Sequence, residues 1–242
     1  MSFQSRLPFP DIERLIRASN RAFELNAKVG GMDGKDLIAA AIEAYGRKLT
    51  LVSSFGTEAA VLLHMASEVD RDLTITFVDT RRLFGETLRY RDDLAKRLGL
   101  TDVRSIQPDP KRLKALDPED MLFTRDANMC CHVRKVEPLA RALDGFDAWI
   151  TGRKSYQSGT RTHLPAVEAQ DGRVKFNPLA RWTREDIVAY FDRHDLPRHP
   201  LESDGFLSIG CMPCTDRVQP GEDIRAGRWR GQDKTECGIH GA

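Results

Sequence analysis

Five cysteines fall in a pattern that asks for chemistry. Cys130 and Cys131 are adjacent, Cys211 and Cys214 form a C-x-x-C, and Cys237 stands alone near the C-terminal end. MSFQSRLPFPDIE lacks a charged-then-apolar leader, so a cytoplasmic chain with reduced thiols is expected. An odd number of cysteines spread over 242 residues does not read as a disulfide framework. Two pairs about eighty residues apart could converge on one metal centre. Zinc favours a C-x-x-C hairpin on each side, because both thiolates must face one tetrahedral ion. Adjacent cysteines on a helix point about 100° apart, which suits two corners of a larger cluster. The pairs therefore predict an iron–sulfur cluster held by four thiolates in preference to structural zinc. Lys135, one helical turn after Cys131, would lie beside it, as a surface lysine or as a link to an anionic substrate. Cys237, in Glu236-Cys237-Gly238-Ile239-His240, reads as a stray terminal thiol or as a nucleophile favoured by positive neighbours.

A second set of residues suits anion binding. Ser53-Ser54-Phe55-Gly56-Thr57-Glu58 joins a strand to a helix, where backbone N–H groups and the helix N-terminus can hold a phosphate. The loop is neither G-x-G-x-x-G nor G-x-x-x-x-G-K-[ST], and a plain turn capped by Thr57 is the alternative. Asp79, followed by Thr80, could bind ribose hydroxyls or cap the next segment. From Thr151 to Arg181 six basic residues, Arg153, Lys154, Arg161, Arg173, Lys175 and Arg181, face two acids, Glu168 and Asp171. With Gly152, Ser158 and Gly159 the start of that stretch reads as a mobile basic loop for a sulfate or phosphate, or as a solvated face. Arg225 and Arg228, three apart, could present two guanidinium groups on one side of a helical turn.

These groups need a frame. An amphipathic helix is predicted over about 11–29 and a second over 35–45, stopped by Gly46. Strands follow at 49–52, 74–78, 103–106 and 148–151, separated by helices that include 86–98 and one after the first cysteine pair. Alternating strands and helices predict an α/β fold with an open, doubly wound, mainly parallel sheet, whose ligands sit outside the strands' carboxyl ends. Thr183 caps a further helix with Asp186 at its third position, and the chain after Pro197 reads as a loop-rich tail. One structural domain is expected in three parts: a helical segment 1–46, a nucleotide-binding core 47–200 with the first cysteine pair, and a segment 201–242 with the second pair and a mobile tail. Thirty-seven basic against 36 acidic residues, with 40% hydrophobic and 30% charged, give no global attraction to nucleic acid or membrane. The longest apolar stretches, such as 37–42, are too short to span a bilayer.

In order along the chain, CC-x-x-x-K, G-C-x-P-C-T, R-A-G-R-W and E-C-G-I-H resemble the assimilatory sulfonucleotide reductases, specifically the adenylyl-sulfate (APS) reductases with a [4Fe–4S] cluster. The resemblance runs from about Lys48 to His240 and includes S-S-F-G-T-E, V-D-T-R-R-L-F and T-G-R-K-S-Y-Q-S-G-T-R. It implies an adenine nucleotide alpha hydrolase-like fold related to the ATP-pyrophosphatases. It implies that Cys130, Cys131, Cys211 and Cys214 ligate one cluster and that Cys237 is the nucleophile. Ser53 to Glu58 with Asp79 and Thr80 would hold adenosine and phosphate; Lys135, Arg161, Arg225, Arg228 and His240 would gather round the phosphosulfate. Implied too are APS as substrate, thioredoxin or glutaredoxin as reductant, and a homo-oligomer. The chain departs from the common pattern at Arg81, Lys154-Ser155-Tyr156, Asp216 and Arg230. The competing expectations are a reductase of the 3′-phosphorylated nucleotide (PAPS), an iron–sulfur sensing module that binds nucleotide without turnover, and a zinc-stabilised pyrophosphatase-type enzyme. The last lacks its S-G-G-x-D-[ST] loop.

Overall fold

The computed structural model describes residues 12–157, 164–232, 234 and 236–239. Its centre is a six-stranded sheet of order β3-β2-β1-β4-β6-β5, with β1 Leu49–Ser53, β2 Ile75–Val78, β3 Val103–Ile106, β4 Ala148–Thr151, β5 Val167–Gln170 and β6 Arg173–Phe176. All neighbours run parallel except β5 and β6. The central strands read as short continuous apolar runs because both faces are covered. On β4, Ile150 enters the main core, whereas Trp149 packs with Leu139 and Leu143 in a second cluster. The α/β expectation is met, and four of the six strands lie where the sequence predicts them.

Helices α1 Ile12–Val29 and α2 Gly34–Tyr45 precede the sheet, and α3 Ala59–Val69 and α4 Gly85–Leu98 follow β1 and β2. Between β3 and β4 come α5 Pro110–Leu116, α6 Leu122–Arg125, α7 Ala127–Cys131, a π-helical turn His132–Val136 and α8 Glu137–Ala142. After β6, α9 Arg184–Arg193 opens with a reciprocal capping box between Thr183 and Asp186. Beyond it, among the described residues, only short turns and two isolated bridges occur, Leu83 with Cys211 and Thr215 with Arg228. No helix among the described residues is long and apolar enough to cross a membrane.

Two expectations change. The later part of the basic stretch, for which the sequence predicts no strand, folds at 167–176 into the β5–β6 hairpin. Its turn, Asp171-Gly172, has φ of 51° and 71°, the two left-handed residues a tight hairpin needs. Thr57 does not cap α3, which starts after Glu58 without a side-chain cap; its hydroxyl donates to the Leu207 carbonyl instead.

Candidate active site

The sheet order reverses between β1 and β4, and a cleft of about 250 Å³ opens at their carboxyl ends. Ser53, Ser54, Gly56, Thr57 and Glu58 line it after β1, Thr80 after β2, and Gly152, Arg153 and Lys154 after β4. Phe55 takes the opposite course. Held at φ 49° by a bond from its N–H to Ser53 Oγ (3.1 Å), it buries its ring edge-on against Phe77 at 5.5 Å. Its side chain thus anchors the loop from below, while Ser53, Ser54 and Gly56 beside it face the cleft. Asp79 is not part of the cleft lining; its carboxylate accepts from the Arg81 N–H (2.9 Å) and Gln107 Nε2 (2.8 Å), which fixes the turn after β2.

The four paired cysteines are all buried. Asp126 caps α7 by accepting from the Met129 N–H at 2.8 Å, so this short helix delivers Cys130 and Cys131 in its last turn. The second pair is held against the sheet end. The Met212 N–H donates to the Arg82 carbonyl (2.7 Å), and Thr80 Oγ1 lies 3.2 Å from Cys211 Sγ. Burial first, and then the neighbouring sulfurs of Cys131, Cys211 and Cys214, push the Cys130 thiol up to about 12 despite the Arg134 guanidinium. Burial likewise raises Cys131 and Cys214. Sulfur that must ionise in such a place needs compensating positive charge. Lys135, buried on the π-helical turn, supplies some. Burial opposes its charge, but Cys211, Cys237 and Cys131 outweigh that and raise its pKa.

Whether these residues suit a cluster can be read from the donors around them. Arg134 Nε, Arg228 Nε and Trp229 Nε1 are buried N–H groups with no acceptor among the described residues. Each belongs to a residue beside the cysteines: Arg134 acts electrostatically on Cys130, Arg228 on Cys211 and Cys214, and the backbone N–H of Trp229 donates to the Cys214 carbonyl (3.2 Å). Buried donors without partners are rare unless an acceptor belongs there. No group of three His, Cys, Asp or Glu among the described residues is arranged to hold a single metal ion. The donor set, four buried thiols from two segments with three unmatched N–H groups on neighbouring residues, fits an anionic sulfide cluster.

Behind the first pair, Arg134 donates to the Thr80 carbonyl (3.1 Å), Asp117 Oδ2 (2.7 Å) and Asp120 Oδ1 (2.5 Å). Burial raises the Asp117 carboxyl, yet Arg134 and the Leu122 N–H outweigh it and hold it below its usual range. This network ties the cysteine helix to the turn that carries Thr80. Sequence reasoning missed it, although Arg134 lies at i+4 from Cys130 and i+3 from Cys131, on their side of the helix.

The tail closes the cleft. Arg225 Nη2 lies 3.5 Å from Glu236 Oε2, and Cys237, partly exposed, joins Lys135, Arg225 and Arg228 in the lining. Arg228 stacks on Trp229, with 4.4 Å from Cζ to the ring centre, and donates to the Ile209 carbonyl at 3.3 Å. Burial and then Arg225 lower its pKa, against the opposing pull of Cys237, Cys211 and Cys214. Gly210 makes room for it, since a Cβ there would sit 2.6 Å from Arg228 Cζ. Ser208, Ile209, Trp229, Glu236 and Ile239 also line the cleft and were not singled out from sequence.

The basic stretch is engaged within the protein as well. Arg153 pairs with Glu168, and Lys154 with Glu58 at 2.9 Å, where Tyr156 also donates (2.6 Å). Arg173 donates to the carbonyls of Leu143 and Phe146, Lys175 lies fully buried on β6, and Arg181 clamps the carbonyls of 30–32. Arg161 and His240, with Ser158 and Gly159, lie outside the described residues.

A cleft at the switch point of a parallel sheet, walled by strand-end loops and cations, defines an open, doubly wound α/β protein with its ligand site at the strands' carboxyl ends. Solved structures share the fold. A phosphoadenylyl-sulfate (PAPS) reductase from Candida auris, in its phosphate complex, superposes with a TM-score of 0.69 at 24% identity, over 82% of this chain and 97% of that one. The FMN adenylyltransferase of Candida glabrata with FAD and pyrophosphate gives 0.55 at 14% identity, over 93% and 85%. Residues 48–217 match the phosphoadenosine phosphosulfate reductase domain, and the chain belongs to that family. Its relatives include proteins named adenosine 5′-phosphosulfate reductase from Chelativorans sp. (strain BNC1), 47% identical over 93% of both chains, and from Mesorhizobium japonicum, 48% identical over 91% of this chain and 87% of that one. One from Gloeobacter violaceus, 42% identical over 84% and 87%, is named phosphoadenosine 5′-phosphosulfate reductase.

Proposed function

We propose that this chain reduces adenosine 5′-phosphosulfate to sulfite and AMP in assimilatory sulfate reduction, through an S-sulfocysteine on Cys237. The observation that carries the reading is Cys237 on the wall of the same cleft as the strand-end loops, Lys135, Arg225 and Arg228. The names of its relatives support the substrate.

In this reading the Ser53–Glu58 loop and the Gly152–Lys154 turn hold the nucleotide at the strand ends, and the cations meet the phosphosulfate. The Cys237 thiolate attacks the sulfate sulfur. A sulfur–sulfur bond forms, the bond from that sulfur to the phosphate oxygen breaks, and AMP leaves with the electron pair. Lys135 and Arg228 reduce the repulsion between thiolate and sulfate and stabilise the charge growing on the leaving phosphate. A thioredoxin or glutaredoxin thiolate then attacks the Cys237 sulfur, sulfite departs, and the mixed disulfide resolves on a second reductant thiol. The two thiols are oxidised to a disulfide as sulfate sulfur is reduced to sulfite. For that second step the tail must leave the cleft. Cys130, Cys131, Cys211 and Cys214 would hold one [4Fe–4S] cluster. When bound, such a cluster supplies a compact charged core behind Lys135.

The test is sulfite release from APS and, in parallel, from PAPS, with thioredoxin and dithiol, on anaerobically purified protein. Turnover is expected, with APS preferred, and Cys237→Ser should abolish it while iron stays near four per chain. Full activity in Cys237→Ser, or a colourless zinc protein, overturns the corresponding half of the reading.

A further inference from the structure

The nucleophile's tail is held by a receptor on the β5–β6 hairpin. Gln170, the last residue of β5, donates from Nε2 to the Ile239 carbonyl at 3.2 Å, two residues beyond Cys237. The same nitrogen gives its other hydrogen to Asp171 Oδ2 at 3.1 Å. The amide oxygen accepts from Lys175 Nζ at 2.5 Å. Lys175 is fully buried, 4.7 Å above the Trp149 ring, with Glu168 at 3.6 Å. An ammonium can only donate, so it admits the amide oxygen and excludes the amide nitrogen. The buried lysine thus fixes which way Gln170 faces, and its N–H groups are left to point outward at the tail. Ile239 meanwhile packs against the cluster of Leu139, Leu143 and Trp149, the last of which lies beneath Lys175.

We infer that Gln170, oriented by Lys175, is a positioning residue that latches the tail in the closed state and so sets how the chain divides its time between the two half-reactions. The inference rests on Cys237 as nucleophile, but the latch itself can be read without turnover. Losing one such bond shifts a closed–open equilibrium by about fivefold. Gln170→Glu keeps an acceptor for Lys175 and loses the donor to Ile239; Gln170→Met removes both at similar size.

Hydrogen exchange of the full-length, cluster-loaded protein reads the latch directly. In both variants, amides of the peptide containing 236–239 should exchange about fivefold faster, with those of β4 and β6 unchanged. Unchanged tail exchange overturns the latch, and so does a rise spread equally over the hairpin, which would give Gln170 a role in the strands alone. The two chemical steps give a signature of opposite signs. Sulfonation of Cys237 by APS in a single turnover should slow, while sulfite release from the S-sulfo enzyme by thioredoxin should quicken. Both steps slowing together overturns the partition. Failure of the wild-type chain to form S-sulfocysteine would strike the proposed activity and leave the exchange result standing.

Discussion

Gly210→Ala separates a positional effect from a stability effect. Gly210 directly precedes Cys211, and a methyl group there would stand 2.6 Å from Arg228 Cζ and overlap Nη2, where ordinary contact begins at 3.4 Å. The guanidinium must therefore retreat by about 1 Å. It is the far end of a flexible side chain, so the fold can absorb the change; the bond to the Ile209 carbonyl and the stacking on Trp229 cannot both survive it. A misplacement of about 1 Å in a group that meets the developing charge is expected to lower kcat/KM about a hundredfold. The melting temperature should move by only a few degrees, and iron content should hold. Steady-state sulfite release over a range of APS concentrations, with a thermal melt on the same sample, makes the measurement. Activity within threefold of wild type would refute the placement of Arg228 at the reacting end of the cleft. A matching collapse of stability would show the glycine serving the fold rather than the cation.

Arg134→Met should destabilise the chain by about 3–5 kcal/mol, because it strands the fully buried Asp117 carboxylate. Urea denaturation checks this, and Asp117→Asn in the same chain should recover part of the loss. His199 should make stability fall with acid. Buried, with Nδ1 accepting from the Leu201 N–H (3.2 Å) and Nε2 beside Thr87 Oγ1 (3.1 Å), it titrates at about 4, mainly through burial and against the pull of Glu86. Its pKa is depressed from the ordinary 6.5, so its contribution is intact above about pH 6.5 and drains away as pH falls toward 4. Between pH 7 and 5 that amounts to about 2 kcal/mol. The urea midpoint of wild type should drop over that interval by clearly more than that of His199→Gln, and equal slopes would remove His199 as the cause.

Much of the frame was legible because its signals are local. Strands β1, β2 and β4 are short buried runs between helical periods, β3 is a short edge run ending in Ile106, and the Thr183–Asp186 box announces α9. The β5–β6 hairpin was hidden by its own charges. Arg173 and Lys175 read as solvated cations, yet one caps loop carbonyls and the other lies under Gln170. The Asp171-Gly172 turn between VEAQ and RVKF was the signal that could have found it. At the cleft, spacing pointed to the cysteines, but not to which way a side chain faces. Phe55 shares the loop with Ser53 and Gly56 and turns into the core, because its left-handed backbone aims the ring at Phe77. Arg134 was unreadable for a different reason: its partners Asp117, Asp120 and the Thr80 carbonyl come from two separate loops that only the fold brings together.

The pairing of β1 with β4 has a consequence for the chain's birth. About a hundred residues separate the two strands, so the middle of the sheet cannot close until more than half of the polypeptide has been made. Such distant partners make folding slow. The last walls of the cleft, Arg225, Arg228, Glu236 and Cys237, emerge later still, so the cleft is completed only after the sheet has closed.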